Sequence, residues 1–453
     1  MNFQNVLQEL KKPYILILIA ALVIFAASLA VNFVAIPNML HLDQLHDETV
    51  MMKAENPQLF SRDYLYGSNE YLNHYNPFID LLFFLNRFTG RSEQTYRDAV
   101  PIAFFIFTFG MFLFLYELGV PFFFALVVAL VSATYIGEIL RGDFGIPGPS
   151  GMVARWFTFP FFPYLFLLFY KYWKTRLVFF VFFAFGILGI IHQVSAFYIT
   201  LILGVTLLLL GGINLKNIGR VAVCGACAAL GILPFIIQHW FLYPAPALRL
   251  PDAEYIKALW IAHPHMSPWG MLATYKGYFL DRWYLFWPFF AVFVGVLWYR
   301  KHKEGELNDY DRMSIALFIA IAAVTIAISS LNQILMLVFH KRTDLVHDPR
   351  GFSYAYFIFY LYLGYILSYA WKFLKFQTRK RRAVAGIVGL LIFVGAVVVA
   401  YSKINSFKQL LYHKNNFDQT LVEGQTCRQR LYDWIVRNTP SDSVFLIDPN
   451  GYP

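Results

Sequence analysis

Residues 176–213 read RLVFFVFFAFGILGIIHQVSAFYITLILGVTLLLLGGI, and this stretch decides the fold class. After Arg176 it contains no Asp, Glu, Lys or Arg. A helix needs about 20 mostly apolar residues to cross a bilayer, so the stretch is long enough for two spans. The polar pair His192-Gln193 is the natural break between them. The pattern therefore predicts two membrane-spanning helices joined at His192.

Apolar segments of this kind recur along the whole chain. Of its 453 residues, 58% are hydrophobic and only 14% are charged, whereas a soluble domain carries roughly 25% charged residues. The sequence predicts an all-α polytopic membrane protein, with a transmembrane domain over 1–402. We expect about 11 transmembrane helices, at 14–35, 100–117, 119–137, 156–171, 176–192, 194–213, 220–239, 284–299, 313–339, 352–371 and 383–402.

Lys and Arg cluster in alternate connections between these segments. Positive residues favour the cytoplasmic side, so we expect a cytoplasmic N-terminus and an extracytoplasmic C-terminus. The net charge of +10 follows from this topology and does not indicate nucleic-acid binding. The chain lacks an Asn-x-Ser/Thr acceptor with a permitted middle residue, which favours a prokaryotic plasma (inner) membrane. The basic residues are Lys11, Lys12, Lys171, Lys174, Arg176, Lys216, Arg220, Arg300, Lys301, Lys303, Arg312, Lys372, Lys375, Arg379, Lys380, Arg381 and Arg382.

Two segments on the expected outer side carry patterns of their own. Loop 36–98 predicts two interfacial helices joined by a turn: an amphipathic one within 41–55, and a second that contains the apolar stretch 78–85. Tail 403–453 combines one helix with one strand, which cannot bury a core alone. We expect the tail either to pack on the outer loops or to be the start of an outer C-terminal α/β domain that the chain truncates.

Ionisable side chains concentrate in these outer segments. Asp43, His46 and Asp47 share one face of the helix predicted within 41–55, turned toward water or a cavity. A solvated polar face is the simpler interpretation of the same pattern. Loop 340–351 carries three cations against the positive-inside preference. They would bind a phosphate or pyrophosphate group, or alternatively lipid headgroups: Lys341, Arg342 and Arg350.

Metal and nucleotide chemistry have little support in the sequence. Loop 138–155 contains two acidic residues, Glu138 and Asp143, that could bind a divalent cation. The sequence does not assign a set of ligands for such an ion. His192, at a span end, is more typical of an interfacial histidine than of a ligand. The chain has no Walker loop, dinucleotide fingerprint, HExxH or GxSxG motif, which disfavours nucleotide-driven chemistry.

The order of residues in loop 36–98 resembles that of a known family. Asp47-Glu48 follows the first span, then come Pro57, Phe60 and Asp63, Pro77 ahead of an apolar helix, Gly90, Ser92-Glu93 and Arg97. This order resembles the GT-C membrane glycosyltransferases, in particular the branch of protein O-mannosyltransferases, the aminoarabinose transferase of lipid A and uncharacterised bacterial relatives. Asn76-Pro77 departs from the Pro-Pro that is usual there.

The resemblance implies an inverting glycosyltransferase on the extracytoplasmic face. The donor would be a sugar on a polyprenyl phosphate, and the acceptor a glycan, lipid or protein hydroxyl. Asp47 would be the general base and Glu48 its neighbour. The leaving phosphate would be stabilised by Arg155, Lys341, Arg342 and Arg350. Further candidates for the site are Asp43, His46, Asp63, Glu138, Asp143 and His192.

Two other classes of function fit the same sequence. A transporter or flippase of a lipid-linked or small polar solute is one, although transporters usually place ionisable groups near the midplane. The other is a non-catalytic membrane assembly protein with the same fold.

Asp47→Asn tests the assigned base. We expect sugar transfer to fall by about 100-fold or more, because the variant cannot take the acceptor proton. Expression and donor binding should change little, since the amide keeps the shape of the side chain. Full transfer activity of Asp47→Asn would remove this residue from the mechanism.

Overall fold

The structure, a computed structural model, describes residues 13–34, 50–51, 53, 77–89, 92–139, 157–238, 241, 251–262, 267–281, 283–341, 351–352 and 354–375. The chain divides into two compact units, one formed by Met1–Gln44 and Asn76–Tyr369, the other by Leu45–Tyr75 and Ala370–Pro453. In the second unit the described residues Val50, Met51 and Lys53 are buried, and 370–375 are helical. The contacts below belong to the first unit.

Every regular element in the described ranges is a helix, which confirms the expected all-α class. Short 3₁₀ and π segments, Phe159–Phe161 and Gly277–Asp281, accompany the α-helices. The α-helices are α1 Pro13–Val34, α2 Pro77–Thr89, α3 Ser92–Glu117, α4 Phe122–Ile139, α5 Phe162–Tyr172, α6 Val178–Ile191, α7 Gln193–Gly211, α8 Leu215–Ile237, α9 Asp252–Ala262, α10 Pro268–Lys276, α11 Trp283–Glu304, α12 Asp309–Leu337 and α13 Tyr354–Lys375.

Fewer helices than the eleven expected are long and apolar enough to cross a membrane. The described part of the chain has four, Ala99–Glu117, Gln193–Gly211, Leu215–Ile237 and Asp309–Leu337. A fifth arises if Pro268–Asp281 and Phe286–Lys303, bent by 64°, form one span. Shorter apolar helices occupy Pro13–Leu29, Phe122–Ala133, Val178–Ile191 and Tyr354–Ser368. Part of the difference concerns residues outside the described ranges, such as the expected span 383–402. Helix α6, with 14 residues, is only about 21 Å long and too short for a full span.

Several boundaries differ from the expected ones. The break at His192-Gln193 is confirmed, because α6 ends at Ile191 and α7 begins at Gln193. Lys216 and Arg220 were expected in a connection, but α8 begins at Leu215 and includes both. Asn214 caps this helix by accepting from the Asn217 N–H, so the helix starts among the polar residues.

The outer segments are described only in part. Helix α2 confirms the second helix expected in loop 36–98 and packs on α3. The helix expected within 41–55, apart from the three residues named above, lies outside the described residues. So do the eleventh span at 383–402 and the whole tail 403–453.

Helix α13 is the centre of the first unit. Its residues from Tyr354 to Tyr362 are all buried, and a helix that is apolar on every side is typical of a core position. Phe357 packs on Phe166 of α5 with ring centroids 4.7 Å apart. Tyr362 packs edge-on against Phe293 of α11, also at 4.7 Å. Aromatic contacts therefore hold α13 between its neighbours.

Helices α6 and α8 approach each other through glycine. A Cβ atom added at Gly186 would meet the backbone carbonyl of Ala228, and one at Gly231 would meet that of Phe183. Small residues allow such approach between membrane helices, where association depends on packing because lipid is as apolar as the side chains. The α6–α8 interface consequently has no room for a side chain at either glycine.

One end of the unit gathers the charged residues. Lys171 Nζ lies 2.8 Å from Glu117 Oε1, and Lys174 pairs with Asp309. Arg220 donates to the Thr175 carbonyl at 2.9 Å. These contacts join α3, α5, α8 and α12, and we call this region the basic end. Basic residues of two predicted cytoplasmic connections, and Asp309 of a third, thus lie at one end of the unit.

A buried ion pair joins α11 and α12 at the basic end. Arg300 Nη1 lies 2.8 Å from Asp311 Oδ1, and the two side chains are only 4% and 1% exposed. The Tyr362 hydroxyl donates to Asp311 at 3.0 Å, and the Arg300 guanidinium lies 4.3 Å from the centre of the Tyr365 ring. The carboxylate therefore joins α12 to α11 and to α13.

Gly186→Val tests the close approach of α6 and α8. We expect it to destabilise the folded state by about 1–3 kcal/mol, because the helices must separate to admit the side chain. The midpoint of thermal unfolding in detergent measures the change. Gly225→Val is the matched control on α8, since nothing lies within 4 Å of a Cβ atom there. Equal loss in both variants would contradict this account of the interface.

Asp311→Ala tests the buried ion pair. It should cost about 3–5 kcal/mol of stability, because it leaves the Arg300 charge buried without its carboxylate. The double variant Arg300→Met/Asp311→Leu should recover much of that loss, since it removes both charges and fills the space. Thermal unfolding of the two variants compares them. A double variant less stable than Asp311→Ala would show that the charges themselves stabilise the fold.

Candidate functional site

Most of the site residues expected from the sequence lie outside the described residues. Glu138 is described only as part of α4. His192 and Lys341 are described with their side chains. Outside the described residues are Asp43, His46, Asp47, Glu48, Asp63, Asp143, Arg155, Arg342 and Arg350.

Lys341 lies just beyond the end of α12, and its side chain is exposed at the surface of the unit. Its N–H donates to the Leu335 carbonyl at 2.9 Å, and its side chain is 70% exposed. The Nζ atom lies 3.8 Å from Asp252 Oδ2 at the start of α9. An exposed pair at this distance contributes little free energy, so the ammonium stays accessible to an anion. The contact brings the start of α9 against the beginning of loop 340–351.

His192 forms the turn between α6 and α7. Its Nδ1 accepts from the Ser195 N–H at 3.3 Å and lies 2.8 Å from Ser195 Oγ. The ring thereby caps α7, and a neutral imidazole with Nδ1 as acceptor carries its proton on Nε2. This contact gives His192 a local structural role, in line with the interfacial interpretation.

The His192 turn lies beside the start of α13. The Tyr354 hydroxyl donates to the Ser195 carbonyl at 3.4 Å, and the Tyr354 ring packs on Phe162 at the start of α5. Three elements therefore meet here, at the ends remote from the basic end. Because α6 is about 21 Å long and a hydrocarbon core is about 30 Å thick, this meeting point is recessed relative to a full span.

Helix α12 buries an uncharged polar face in the half remote from the basic end. Thr325, Ser329, Asn332 and Gln333 are all buried, and their spacing places them on one side of the helix. The hydroxyls of Thr325 and Ser329 have no hydrogen-bond partner within the described ranges. The opposite side exposes Leu331 and Ile334, at 47% each. We call the four buried residues the α12 polar face.

The start of α13 lies against this face. Gly351 touches Thr325, and a side chain at Gly351 would overlap it. Thr325 precedes Leu337 at the end of α12 by twelve residues, about 18 Å of helix. Helix α13 therefore begins well below that end of α12, at the level of the polar face.

Aromatic rings flank the same region. Phe352 packs edge-on against Phe279 with ring centroids 5.1 Å apart, and Phe279 packs in the same way on Phe286 at 5.2 Å. Trp287 donates its indole N–H to the Phe279 carbonyl at 2.7 Å. Phe279, Phe286 and Trp287 belong to the bent pair Pro268–Asp281 and Phe286–Lys303, and Phe352 lies just before α13. An apolar wall thus lies beside the uncharged hydrogen-bonding groups.

The groups gathered at the α12 polar face are neutral hydrogen-bonding groups. No group of three or more His, Cys, Asp or Glu side chains that could hold a metal ion occurs in the part of the chain that the structure describes. Hydroxyl and amide groups in an apolar setting bind the hydroxyls of a ligand through hydrogen bonds, which are strong in a low dielectric.

The α12 polar face was not predicted from the sequence, although the spacing of its residues indicates it. Thr325, Ser329 and Asn332 follow one another at spacings of four and three within an apolar run, which marks one side of a helix. Their burial depends on packing against other helices, which no local pattern reveals.

Comparison of the chain with protein-family models, with curated proteins and with solved structures finds no match.

Proposed function

We propose that this chain is a membrane glycosyltransferase that moves a sugar from a polyprenyl phosphate to an acceptor hydroxyl. The observation that carries the proposal is the α12 polar face: buried hydroxyl and amide groups without formal charge, beside an aromatic wall. A sugar needs hydrogen-bond partners and its polyprenyl chain needs apolar surroundings, and this region offers both. The order of Asp47-Glu48, Pro77, Gly90 and Arg97 along the sequence supports the same family of reaction.

The transfer step follows from the assigned residues. The acceptor oxygen attacks the anomeric carbon and forms the new C–O bond, while the bond from that carbon to the phosphate oxygen breaks. The acceptor proton passes to the Asp47 carboxylate, and attack opposite the leaving group inverts the anomeric configuration. The bonding electrons leave with the lipid phosphate. Its charge is stabilised by cations, for which we propose Arg155, Lys341, Arg342 and Arg350.

The proposed topology places this chemistry on the extracytoplasmic side. We propose a cytoplasmic N-terminus and an outer α/β domain that begins at 403. The clustering of Lys171, Lys174 and Arg220 at the basic end supports an orientation with that end in the cytoplasm. The α12 polar face would then lie in the outer half of the membrane, near loop 340–351.

Thr325→Val tests the proposed sugar contact. The change keeps the shape of the side chain and removes the hydroxyl, so we expect kcat/KM for the donor to fall by about 10-fold. Transfer from a radiolabelled polyprenyl-phosphate sugar to a membrane extract measures it. Thr206→Val is the matched control, because that hydroxyl is buried but already donates to the Ile202 carbonyl at 2.7 Å.

Three results would contradict the proposal. Wild-type activity in Thr325→Val would remove the polar face from donor binding. Equal losses in Thr325→Val and Thr206→Val would indicate a general loss of stability. Neither transfer nor hydrolysis of any polyprenyl-phosphate sugar by the wild-type protein would exclude the enzyme.

A transporter is the second candidate, and one observation favours it. The bent pair Pro268–Asp281 and Phe286–Lys303 meets at 64° beside the polar face, and broken helices often line transport sites. Uptake of a labelled lipid-linked sugar or a small polar solute into sealed proteoliposomes, without chemical change, would favour this function over transfer.

A further inference from the structure

A concave pocket of about 650 Å³ lies at the basic end, between the α5–α6 turn and the start of α8. Four cationic side chains line it: Lys174, Arg176, Lys216 and Arg220. Among the described residues that line the pocket, none is acidic. Its volume falls within the range of small-molecule sites, roughly 300–1,000 Å³. Neither the proposed transfer reaction nor the α12 polar face uses this pocket.

Two of the four cations are held by the protein, and two are not. Lys174 pairs with Asp309, and Arg220 donates to the carbonyls of Trp173 and Thr175. The side chains of Arg176 and Lys216 are exposed and form no salt bridge or hydrogen bond within the described part of the chain. Like charges gathered in one concavity attract an anion, and Arg and Lys supply charge-assisted hydrogen bonds to phosphate oxygens.

The apolar part of the pocket identifies the source of that anion. Phe179 and Val223 line it together with the cations. The nearby helix faces expose Phe180 and Ile218, at 70% and 46%, as expected of a surface in contact with acyl chains. A free phosphate ion would make no contact with these apolar surfaces. A phospholipid places its headgroup among cations and its acyl chains along apolar helices.

We propose that this pocket binds the phosphate headgroup of an anionic membrane lipid, with its acyl chains along α6 and α8. Arg176 and Lys216 bind the phosphate, and Arg220 connects the site to the α5–α6 turn. The lipid thereby bridges the turn before α6 and the start of α8, the two helices that the glycine contact joins farther along. This assignment does not depend on the transferase proposal.

Titration of the full-length protein in detergent with dioleoylphosphatidic acid, followed by native mass spectrometry, measures binding. We expect Arg176→Gln/Lys216→Gln to bind this lipid about 10-fold or more weakly than the wild-type protein. Lys301→Gln/Lys303→Gln is the matched control, because it removes two exposed charges at the same end without touching the pocket. The control should bind within about 2-fold of the wild-type protein.

The other arms of the experiment separate the alternatives. Dioleoylphosphatidylcholine should bind more weakly than phosphatidic acid, and inorganic phosphate should not displace the bound lipid. Equal weakening in both double variants would overturn the pocket in favour of diffuse surface charge. Displacement by inorganic phosphate would overturn the lipid in favour of a free-anion site. Unchanged binding in Arg176→Gln/Lys216→Gln would overturn the site altogether.

Discussion

Hydrocarbon offers no hydrogen-bond partner, and this constraint governs the structure of the chain. Each backbone N–H and C=O group in a span must be satisfied within the protein, which is why the described ranges are helical. The same constraint determines which side chains are exposed on the helix surfaces and which are buried. Leu230 and Phe180 lie exposed on helix surfaces, where lipid would cover them. Thr325 and Ser329 are buried, because a hydroxyl in lipid would be costly.

Packing has to hold such a fold together, because lipid removes most of the hydrophobic driving force between helices. Two devices serve this purpose here. Gly186 and Gly231 let α6 and α8 approach until their backbones touch. Helix α13 instead uses large rings, such as Phe357 and Tyr362, which fill the space between more distant neighbours. Close backbone contact therefore holds helices together in one part of the unit, and aromatic side chains that fill the space between helices do so in another.

The two ends of the unit differ in their chemistry. At the basic end, formal charges are paired or lie at the surface, as in the pairs Arg300–Asp311 and Lys174–Asp309. In the other half, the α12 polar face presents hydroxyl and amide groups without formal charge. Charge suits an anionic headgroup at the membrane boundary, and neutral hydrogen-bonding groups suit a sugar within it. Both proposals follow from this division of polar groups.

The sequence alone determined the all-helical class, the break at His192 and the clustering of positive charge, because apolar run length and charge position are local properties. It also indicated Asp47 and the cations of the outer loops as candidates, most of which lie outside the described residues. Only the tertiary structure decided that Gly351 lies against Thr325 and that Asp311 joins Arg300 and Tyr362. Periodicity shows which residues share a helix face, but the neighbour that covers the face is set by packing across the chain.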